Sequence, residues 1–237
     1  MGQVLGDERF AEQVLYRGGQ GGYHTYRIPG LVVTLTGRVL ALCEGRRYSA
    51  ADAGSIDMLL RSSDDNGVTW SDAKVVVDGG GATVGNPCPV VDRNTGRIWL
   101  FFNWNPAEDD EAKILAGEGQ RGVLASYSDD DGRSWSSPMD LTSSLKRKDW
   151  TWYAIGPGHG IQLSSGRLLY SCNHAALSGD RGSGPYTSHI IYSDDGGASW
   201  HIGGSVGANT NECQVVELAT GRLYLNMRSY HGENRRA

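Results

Sequence analysis

The sequence predicts an all-β chain assembled from repeated four-stranded units, and two kinds of repeat lead to this prediction. The first is an octet with the pattern Ser-x-Asp-x-Gly-x-Thr/Ser-Trp, which occurs at 63–70, 128–135 and 193–200. Its start positions, 63, 128 and 193, are 65 residues apart both times. A fixed period of this size is typical of an array of similar supersecondary units.

Each octet has the composition of a tight turn. The Ser hydroxyl and the Asp carboxylate can accept hydrogen bonds from backbone N–H groups a few residues further on, and Gly supplies a position with positive φ. The closing Trp is a large apolar side chain with one N–H to satisfy. These properties predict a structural role for the octets rather than a catalytic one.

The second repeat is a Gly-Arg turn between two apolar runs. Runs rich in β-branched and aromatic residues on both sides of a Gly turn predict β-hairpins. A third run leads into each octet and a fourth, short run closes the unit, so each unit is a four-stranded meander, the blade of a β-propeller. The turns are Thr36-Gly37-Arg38, Thr95-Gly96-Arg97, Ser165-Gly166-Arg167 and Thr220-Gly221-Arg222.

The repeats place blade one at about 28–77, blade two at 86–141 and blade three at 159–206, with a fourth beginning near Asn211. Ala237 follows the second strand of that fourth blade, so the chain is expected to hold about three and a half blades within a single domain, 1–237.

Composition and charge narrow the classes of function. The net charge of −5 and the lack of a Lys/Arg stripe argue against a nucleic-acid partner. The four cysteines lie far apart without metal-ligand spacing, so neither a metal nor another cofactor is expected. No membrane-spanning stretch and no signal peptide are visible, which predicts a cytoplasmic protein as the chain is written. A secreted chain from which a leader has been removed would look the same.

A meander also predicts where a functional site should lie. The segment before strand one and the loop between strands two and three share one rim, and the octet turns lie on the opposite rim. Three arginines with neighbouring acids on that first rim would suit a carboxylate ligand, because guanidinium can bind carboxylates bidentately. Alternatively, any one of these charged residues could be an ordinary surface residue in a salt bridge. The rim candidates are Arg27, Glu44, Arg46, Asp52, Asn86, Glu212 and Arg228.

With these motifs the chain resembles the exo-α-sialidases, both bacterial enzymes and the mammalian cytosolic enzyme. The resemblance runs from about residue 15 to the end of the chain, and it implies a six-bladed β-propeller that acts on sialylated glycoconjugates and is a monomer at full length. The matching motifs are the three octets, called Asp boxes in that family, with Tyr26-Arg27-Ile28-Pro29, Glu44-Gly45-Arg46-Arg47, Asn86-Pro87-Cys88-Pro89, Gly156-Pro157-Gly158-His159-Gly160 and Asn211-Glu212-Cys213-Gln214.

The resemblance also implies roles for single residues. Arg27 and Arg228 would be two of the three arginines that hold the sialic acid carboxylate, and Asp52 would be the acid/base. Glu212 would be the base that activates a tyrosine nucleophile. Arg46 would line the sugar pocket, and Asn86 would lie beside the N-acetyl group. Glu111 lies where the family often has an acidic residue in the pocket.

The family pattern continues beyond this sequence. In the family, the third carboxylate-binding arginine and the nucleophilic tyrosine belong to blades after the fourth. The chain is therefore expected to correspond to the N-terminal part of such an enzyme. Residues 1–237 alone are expected to associate through an exposed strand edge and to lack turnover.

Two other functions remain open at this stage. A trans-sialidase would share the pocket and differ in acceptor-site aromatics, for which Trp104, Trp150 and Trp152 are possible members. A non-catalytic, glycan-binding propeller would also carry Asp boxes, although it would not need the charged rim.

Overall fold

The computed structural model describes residues 12–177, 184–232 and 235–237, and it shows an all-β chain whose strands form blade-like antiparallel sheets. Blade one consists of β1 (Thr25–Val33), β2 (Val39–Arg46), β3 (Ile56–Ser63) and β4 (Lys74–Val77). Blade two consists of β5 (Thr83–Val91), β6 (Ile98–Asn105), β7 (Gly122–Ser128) and β8 (Met139–Asp140). Two short helices, α1 (Glu111–Leu115) and α2 (Thr142–Leu145), flank β7 and β8.

Blade three departs from the predicted pattern at its first strand. That strand is divided into β9 (Trp150–Ile155) and β10 (Ile161–Gln162), and both pieces pair with β11 (Leu168–Ala176). The blade continues with β12 (Thr187–Ser193) and β13 (His201–Ala208). The predicted start at residue 159 was therefore wrong, because the polar Gly-Pro-Gly-His stretch interrupts the strand instead of preceding it.

The fourth unit is a two-stranded sheet of β14 (Thr210–Glu217) and β15 (Leu223–Ser229). Among the described residues the sheets do not close into a ring. The predicted all-β, blade-type fold is thus confirmed, with three four-stranded blades and the first two strands of another.

Apolar clusters pack each blade against the next. Leu42, Met58 and Leu100 belong to the cluster that joins blades one and two. Phe101 and Tyr170 belong to the cluster that joins blades two and three, where their ring centroids lie 4.7 Å apart. Burying several large side chains in this way supplies most of the favourable free energy of folding.

The octets form the turns that their composition predicts. In the third octet, Ser193 Oγ accepts a hydrogen bond from Gly197 N at 2.8 Å, and Asp195 Oδ1 accepts one from Ser199 N at 2.9 Å. Trp200 closes this octet, and its ring packs edge-on against Phe101 at 4.7 Å between centroids. These bonds satisfy the turn's own backbone donors, as expected for a structural role.

The arginine of each of the first three Gly-Arg turns pairs with an aspartate of the following octet. The Arg97 guanidinium donates to both carboxylate oxygens of Asp129 at 2.7 and 2.8 Å, and Arg167 pairs with Asp194 in the same way. Such half-exposed pairs contribute little to stability individually. They nevertheless show that both repeated turns of a blade lie on one rim.

The third octet provides a prediction on stability. Gly197 has φ +95°, and a Cβ there would lie 2.3 Å from the Trp99 ring, whereas a Cβ at Gly67 in the first octet would lie 3.5 Å from Trp70. Gly197→Ala should therefore cost about 2–5 kcal/mol from left-handed strain and overpacking together. The matched variant Gly67→Ala should lose only about 1–2 kcal/mol of stability, because it introduces the left-handed strain without the overpacking. Urea unfolding measures both, and equal losses would contradict the overpacking argument.

Candidate active site

The rim opposite the octets brings two arginines onto one carboxylate. Arg27 Nη1 lies 2.8 Å and Arg46 Nη1 lies 2.7 Å from the same oxygen, Asp52 Oδ1. The side chain of Asp52 is 74% exposed and that of Arg27 is 47% exposed, whereas that of Arg46 is only 3% exposed. One acid is thus held at the surface by a half-exposed cation beside it and a buried cation beneath it.

Arg46 is fixed from below by a buried acid. Its Nε and Nη2 donate to Glu44 Oε2 at 3.0 and 2.6 Å, and Glu44 Oε1 accepts from the backbone N of Asn86 at 2.8 Å. Burial raises the pKa of Glu44, and the Arg46 guanidinium partly offsets that rise. Glu44 therefore joins blade one to blade two under the rim. The Asn86 side chain appears in none of the described hydrogen bonds.

Arg46 also shapes the loop that carries Asp52. Its Nη1 donates to the backbone oxygens of Ala50 and Ala51 at 2.6 and 3.0 Å. The neighbouring Arg47 points the other way, to an ion pair with the buried Asp57 and a position over the Tyr23 ring. Alternation along a strand explains the divergence, since successive side chains point to opposite faces.

Irregularities in the first strands position the other rim residues. The sequence placed Arg27, Asn86 and Glu212 before their strands, but all three lie within β1, β5 and β14. The strand pairing shifts register at each site, between Arg27 and Gly30, Gly85 and Cys88, and Thr210 and Cys213. Bulges of this kind commonly re-aim side chains next to functional sites.

Glu212 and Arg228 form a second pair on the two-stranded sheet. Arg228 Nη1 lies 3.3 Å from Glu212 Oε2, and the two side chains are 52% and 43% exposed. The described contacts join these residues to each other and not to the Asp52 cluster. The structure thus brings together Arg27, Arg46 and Asp52, and it leaves Glu212 with Arg228 as a separate group.

A cavity of about 470 Å³ opens beside Asp52, with Glu111, Arg121 and Trp152 in its wall. Arg121 is buried and donates to Tyr153 O at 2.6 Å and to Asn105 Oδ1 at 2.8 Å. Its guanidinium lies 4.1 Å from the centre of the Trp152 ring. Burial lowers the pKa of Arg121 to about 10, while Glu44 and Glu111 oppose that shift through their charge.

Glu111 in this cavity accepts a hydrogen bond from the Tyr186 hydroxyl. Burial and that hydrogen bond raise the pKa of Tyr186. The sequence pointed to Glu111 and missed Arg121 and Tyr186. Neither missed residue belongs to a repeated motif, so only the folded contacts reveal them.

Two tyrosines would be the first to replace if the 237-residue chain alone hydrolysed a sialoside, and they differ in exposure. Tyr153 is fully buried, its hydroxyl donates to Cys172 Sγ at 3.2 Å, and burial raises its pKa well above the usual value. Tyr230 is 45% exposed, and its hydroxyl accepts from Asn211 Nδ2 at 3.0 Å. Tyr153 is therefore unsuited to attack a substrate, because it is enclosed and protonated.

A buried histidine pair in blade three predicts acid sensitivity. His174 Nδ1 and His189 Nδ1 lie 3.0 Å apart, and His174 stacks on Trp150 at 3.7 Å. Burial, followed by repulsion from Arg147, lowers the pKa of His174 to about 4, and burial lowers that of His189 well below its usual value. Asp149 opposes the shift at His174. Below pH ~6.5 the unfolded chain therefore binds protons that the folded chain does not. The free energy of unfolding consequently decreases as the pH is lowered.

His189→Phe should remove part of this pH dependence. As pH falls from about 6.5 towards 4, the variant should gain on the unchanged protein by up to ~1.4 kcal/mol per pH unit, the value for one proton. Urea unfolding at several pH values measures the difference, with a Phe variant of the exposed His159 as control. A constant difference over this range would contradict the proposed protonation.

Neither a metal site nor a membrane helix is found in the described part of the chain. No group of three or more His, Cys, Asp or Glu among the described residues could hold a metal ion. Within the same ranges, no helix combines the length and apolar character needed to cross a bilayer.

The fold and the rim define a blade-repeat protein with a charged surface site, and comparison with known proteins identifies its family. Residues 37–237 match the family described as BNR repeat-like domain, so the chain belongs to that family. It is 35% identical over 226 residues to an exo-alpha-sialidase of Aspergillus fumigatus, covering 87% of this chain and 52% of the relative. It is 37% identical over 210 residues to sialidase-3 of Mus musculus, covering 82% and 50%.

The solved structures agree with this assignment. The Hadza microbial sialidase Hz136 superposes with a TM-score of 0.81 at 32% identity, over 90% of this chain and 44% of that one. The resemblance to exo-α-sialidases that the motifs indicated is confirmed. The chain spans about half the length of the curated relatives cited above.

Proposed function

We propose that this chain forms part of an exo-α-sialidase, a glycoside hydrolase that releases terminal sialic acid from glycoconjugates. The observation that supports the proposal most directly is the convergence of Arg27 and Arg46 on one oxygen of the exposed Asp52. An acid held at the surface between fixed cations suits a substrate that carries both a carboxylate and a glycosidic oxygen to be protonated.

Arg27 is the residue that we assign to the substrate carboxylate. Only its Nη1 donates to Asp52 among the described hydrogen bonds, and nearly half of its side chain is exposed, so N–H groups remain available to a ligand. A guanidinium can bind a second carboxylate bidentately through such groups. Arg228, half-exposed on the fourth blade, would be the second arginine of this clamp.

Asp52 and Glu212 are the two acids that we assign to the chemistry. Asp52 would protonate the leaving glycosidic oxygen and later take a proton from water. Glu212 would remove the proton of a tyrosine nucleophile that lies beyond this chain, and two displacements at the same carbon give retention. Arg46 would hold the Asp52 loop in place, and Asn86 would lie beside the N-acetyl group.

The direct test is hydrolysis of a fluorogenic sialoside by two purified proteins. One is the 237-residue chain, and the other is the same chain fused to the C-terminal half of the Aspergillus fumigatus relative. We expect turnover from the fusion and none from the chain alone. Activity of the chain alone would overturn the assignment of the nucleophile and would make Tyr230 the first residue to replace. A correctly folded but inactive fusion would contradict the proposed function.

The carboxylate clamp gives a further prediction. In the active fusion, Arg27→Ala should weaken binding of an anionic sialic acid analogue by about 1.5–3 kcal/mol, the range for hydrogen bonds to charged groups. The loss should be much smaller for an analogue without the carboxylate, as measured by inhibition constants. Arg133→Ala, at an exposed octet arginine on the opposite rim, is the matched control. Equal losses for both ligands would contradict the role of Arg27.

Transfer to a sugar acceptor is a second candidate reaction. Trp152 lines the Asp52 cavity, and its ring lies edge-on to Tyr186 with 6.2 Å between centroids. Aromatic rings at a site's mouth can bind an incoming sugar, whereas Trp150 is buried against His174 and is unsuited to that task. Formation of sialyllactose from a sialoside donor and lactose would distinguish transfer from hydrolysis. A binding-only propeller would show neither reaction.

A further inference from the structure

A second cavity, of about 560 Å³, lies on the outer part of blade two. We call it the Lys146 cavity. Its walls come from β6, from the start of β7, and from β8 and α2 with the residues that flank them. The side chains that matter below are Trp104, Gln120, Leu124, Asp140, Thr142 and Lys146.

Among the described residues, the ammonium group of Lys146 has no acidic partner. Its Nζ donates to the backbone oxygen of Arg121 at 2.9 Å, which uses one of its three protons. Among the ion pairs of the described residues, none includes Lys146. An ammonium that is partly withdrawn from water and unpaired is unfavourable, and an anion bound beside it would offset that cost.

The remaining walls favour a ligand of sugar size. Trp104 and Leu124 offer half-buried apolar surfaces. Gln120 and Asp140 are exposed at the mouth, where they can bond to hydroxyl groups. One Asp140 oxygen already accepts from Thr142 N at 2.8 Å, and the solvent around this side chain screens its repulsion of an anion.

We propose that the Lys146 cavity binds a sugar acid, with its carboxylate on the Lys146 ammonium and its ring against Trp104. Arg121 also lines this cavity, but its guanidinium donates to Tyr153 O and Asn105 Oδ1, so the charge offered to a ligand is one ammonium, which matches a carboxylate better than a phosphate dianion. The inference concerns a site separate from the Asp52 cluster and does not depend on sialidase activity.

Binding should be coupled to proton uptake. Burial and the neighbouring Arg121 charge lower the pKa of Lys146 to about 8, and Asp140 is the acid at the cavity mouth. A bound carboxylate favours the charged form, so binding at pH 8 should draw up to about half a proton, and binding at pH 6 should draw almost none.

The test is calorimetric titration of the 237-residue protein with D-glucuronate, and with D-glucose as the neutral match, in buffers of different ionisation enthalpy. We expect saturable glucuronate binding with proton uptake at pH 8, at least tenfold weaker binding of glucose, and at least tenfold weaker glucuronate binding by Lys146→Gln. The exposed Lys148→Gln is the control and should bind normally.

Several outcomes would overturn the proposal. They are absence of saturable glucuronate binding to the folded protein, equal binding of glucose, and unchanged glucuronate affinity in Lys146→Gln. Repeating the titration with free sialic acid shows which of the two sites binds that sugar acid. A loss of sialic acid binding in Lys146→Gln assigns it to this cavity, whereas a loss in Arg27→Ala assigns it to the proposed active site.

Discussion

Asp52→Ala is expected to slow hydrolysis of natural sialosides by about 10²–10⁴-fold in the active fusion, the usual contribution of a general acid. Aryl sialosides with good leaving groups should be slowed far less, because their leaving oxygen needs little protonation. The structure favours Asp52 for this role because its side chain is 74% exposed at the rim while two arginines fix its position. Comparing kcat/KM for the two substrate types measures the difference.

Two further variants serve as comparisons for Asp52→Ala. Glu212→Gln should slow both substrate types alike, because it disables the nucleophile rather than the leaving group. Asp64→Ala, an exposed aspartate of the first octet on the opposite rim, should slow neither. A loss in Asp52→Ala that does not depend on the leaving group would assign the acid role to another residue.

The parts of the fold that the sequence predicted are those determined by short segments of chain. The octet 193–200 is closed by hydrogen bonds between residues four positions apart, such as Gly197 N to Ser193 Oγ. The Gly-Arg turns join strands that are neighbours in sequence. Local chemistry and a regular period therefore sufficed to place the hairpins and the octet turns, although not the start of blade three.

The parts that the sequence did not predict depend on contacts between distant segments. The division of the first strand of blade three cannot be read from composition, because 150–155 has no Gly-Arg turn of its own. Arg121, which lines the candidate site, is held by a hydrogen bond to the backbone oxygen of Tyr153, 32 residues away along the chain. Glu44 contacts the backbone of Asn86 across two blades, 42 residues away.

The same limit applies to the candidate site. Rim position and residue type predicted Arg27, Arg46 and Asp52 as candidates, and the structure places both arginines in contact with Asp52. The buried position of Arg46 was not predicted, because strand alternation puts Glu44 and Arg46 on one face without specifying which face is enclosed. Their mutual pairing beneath Asp52 makes Glu44 a structural support of the site.

Glu44→Ala is expected to destabilise the protein by about 3–5 kcal/mol, the range for removing one partner of a buried ion pair. The Arg46 side chain is only 3% exposed, so its guanidinium would lose two hydrogen bonds without gaining water in exchange. The backbone N–H of Asn86 would lose its acceptor as well. Urea unfolding at neutral pH measures the loss.

The double variant Glu44→Met, Arg46→Met is the control that separates pairing from packing. Apolar side chains of similar volume can replace a buried pair at little net cost, so the double variant should be more stable than Glu44→Ala. The double variant should still be less stable than the unchanged protein, because it loses the hydrogen bonds from Arg46 to Ala50 and Ala51 in the Asp52 loop. If Glu44→Ala costs less than about 1 kcal/mol, the typical value of one ordinary hydrogen bond, then Asp52 and the loop carbonyls suffice to hold Arg46 without Glu44.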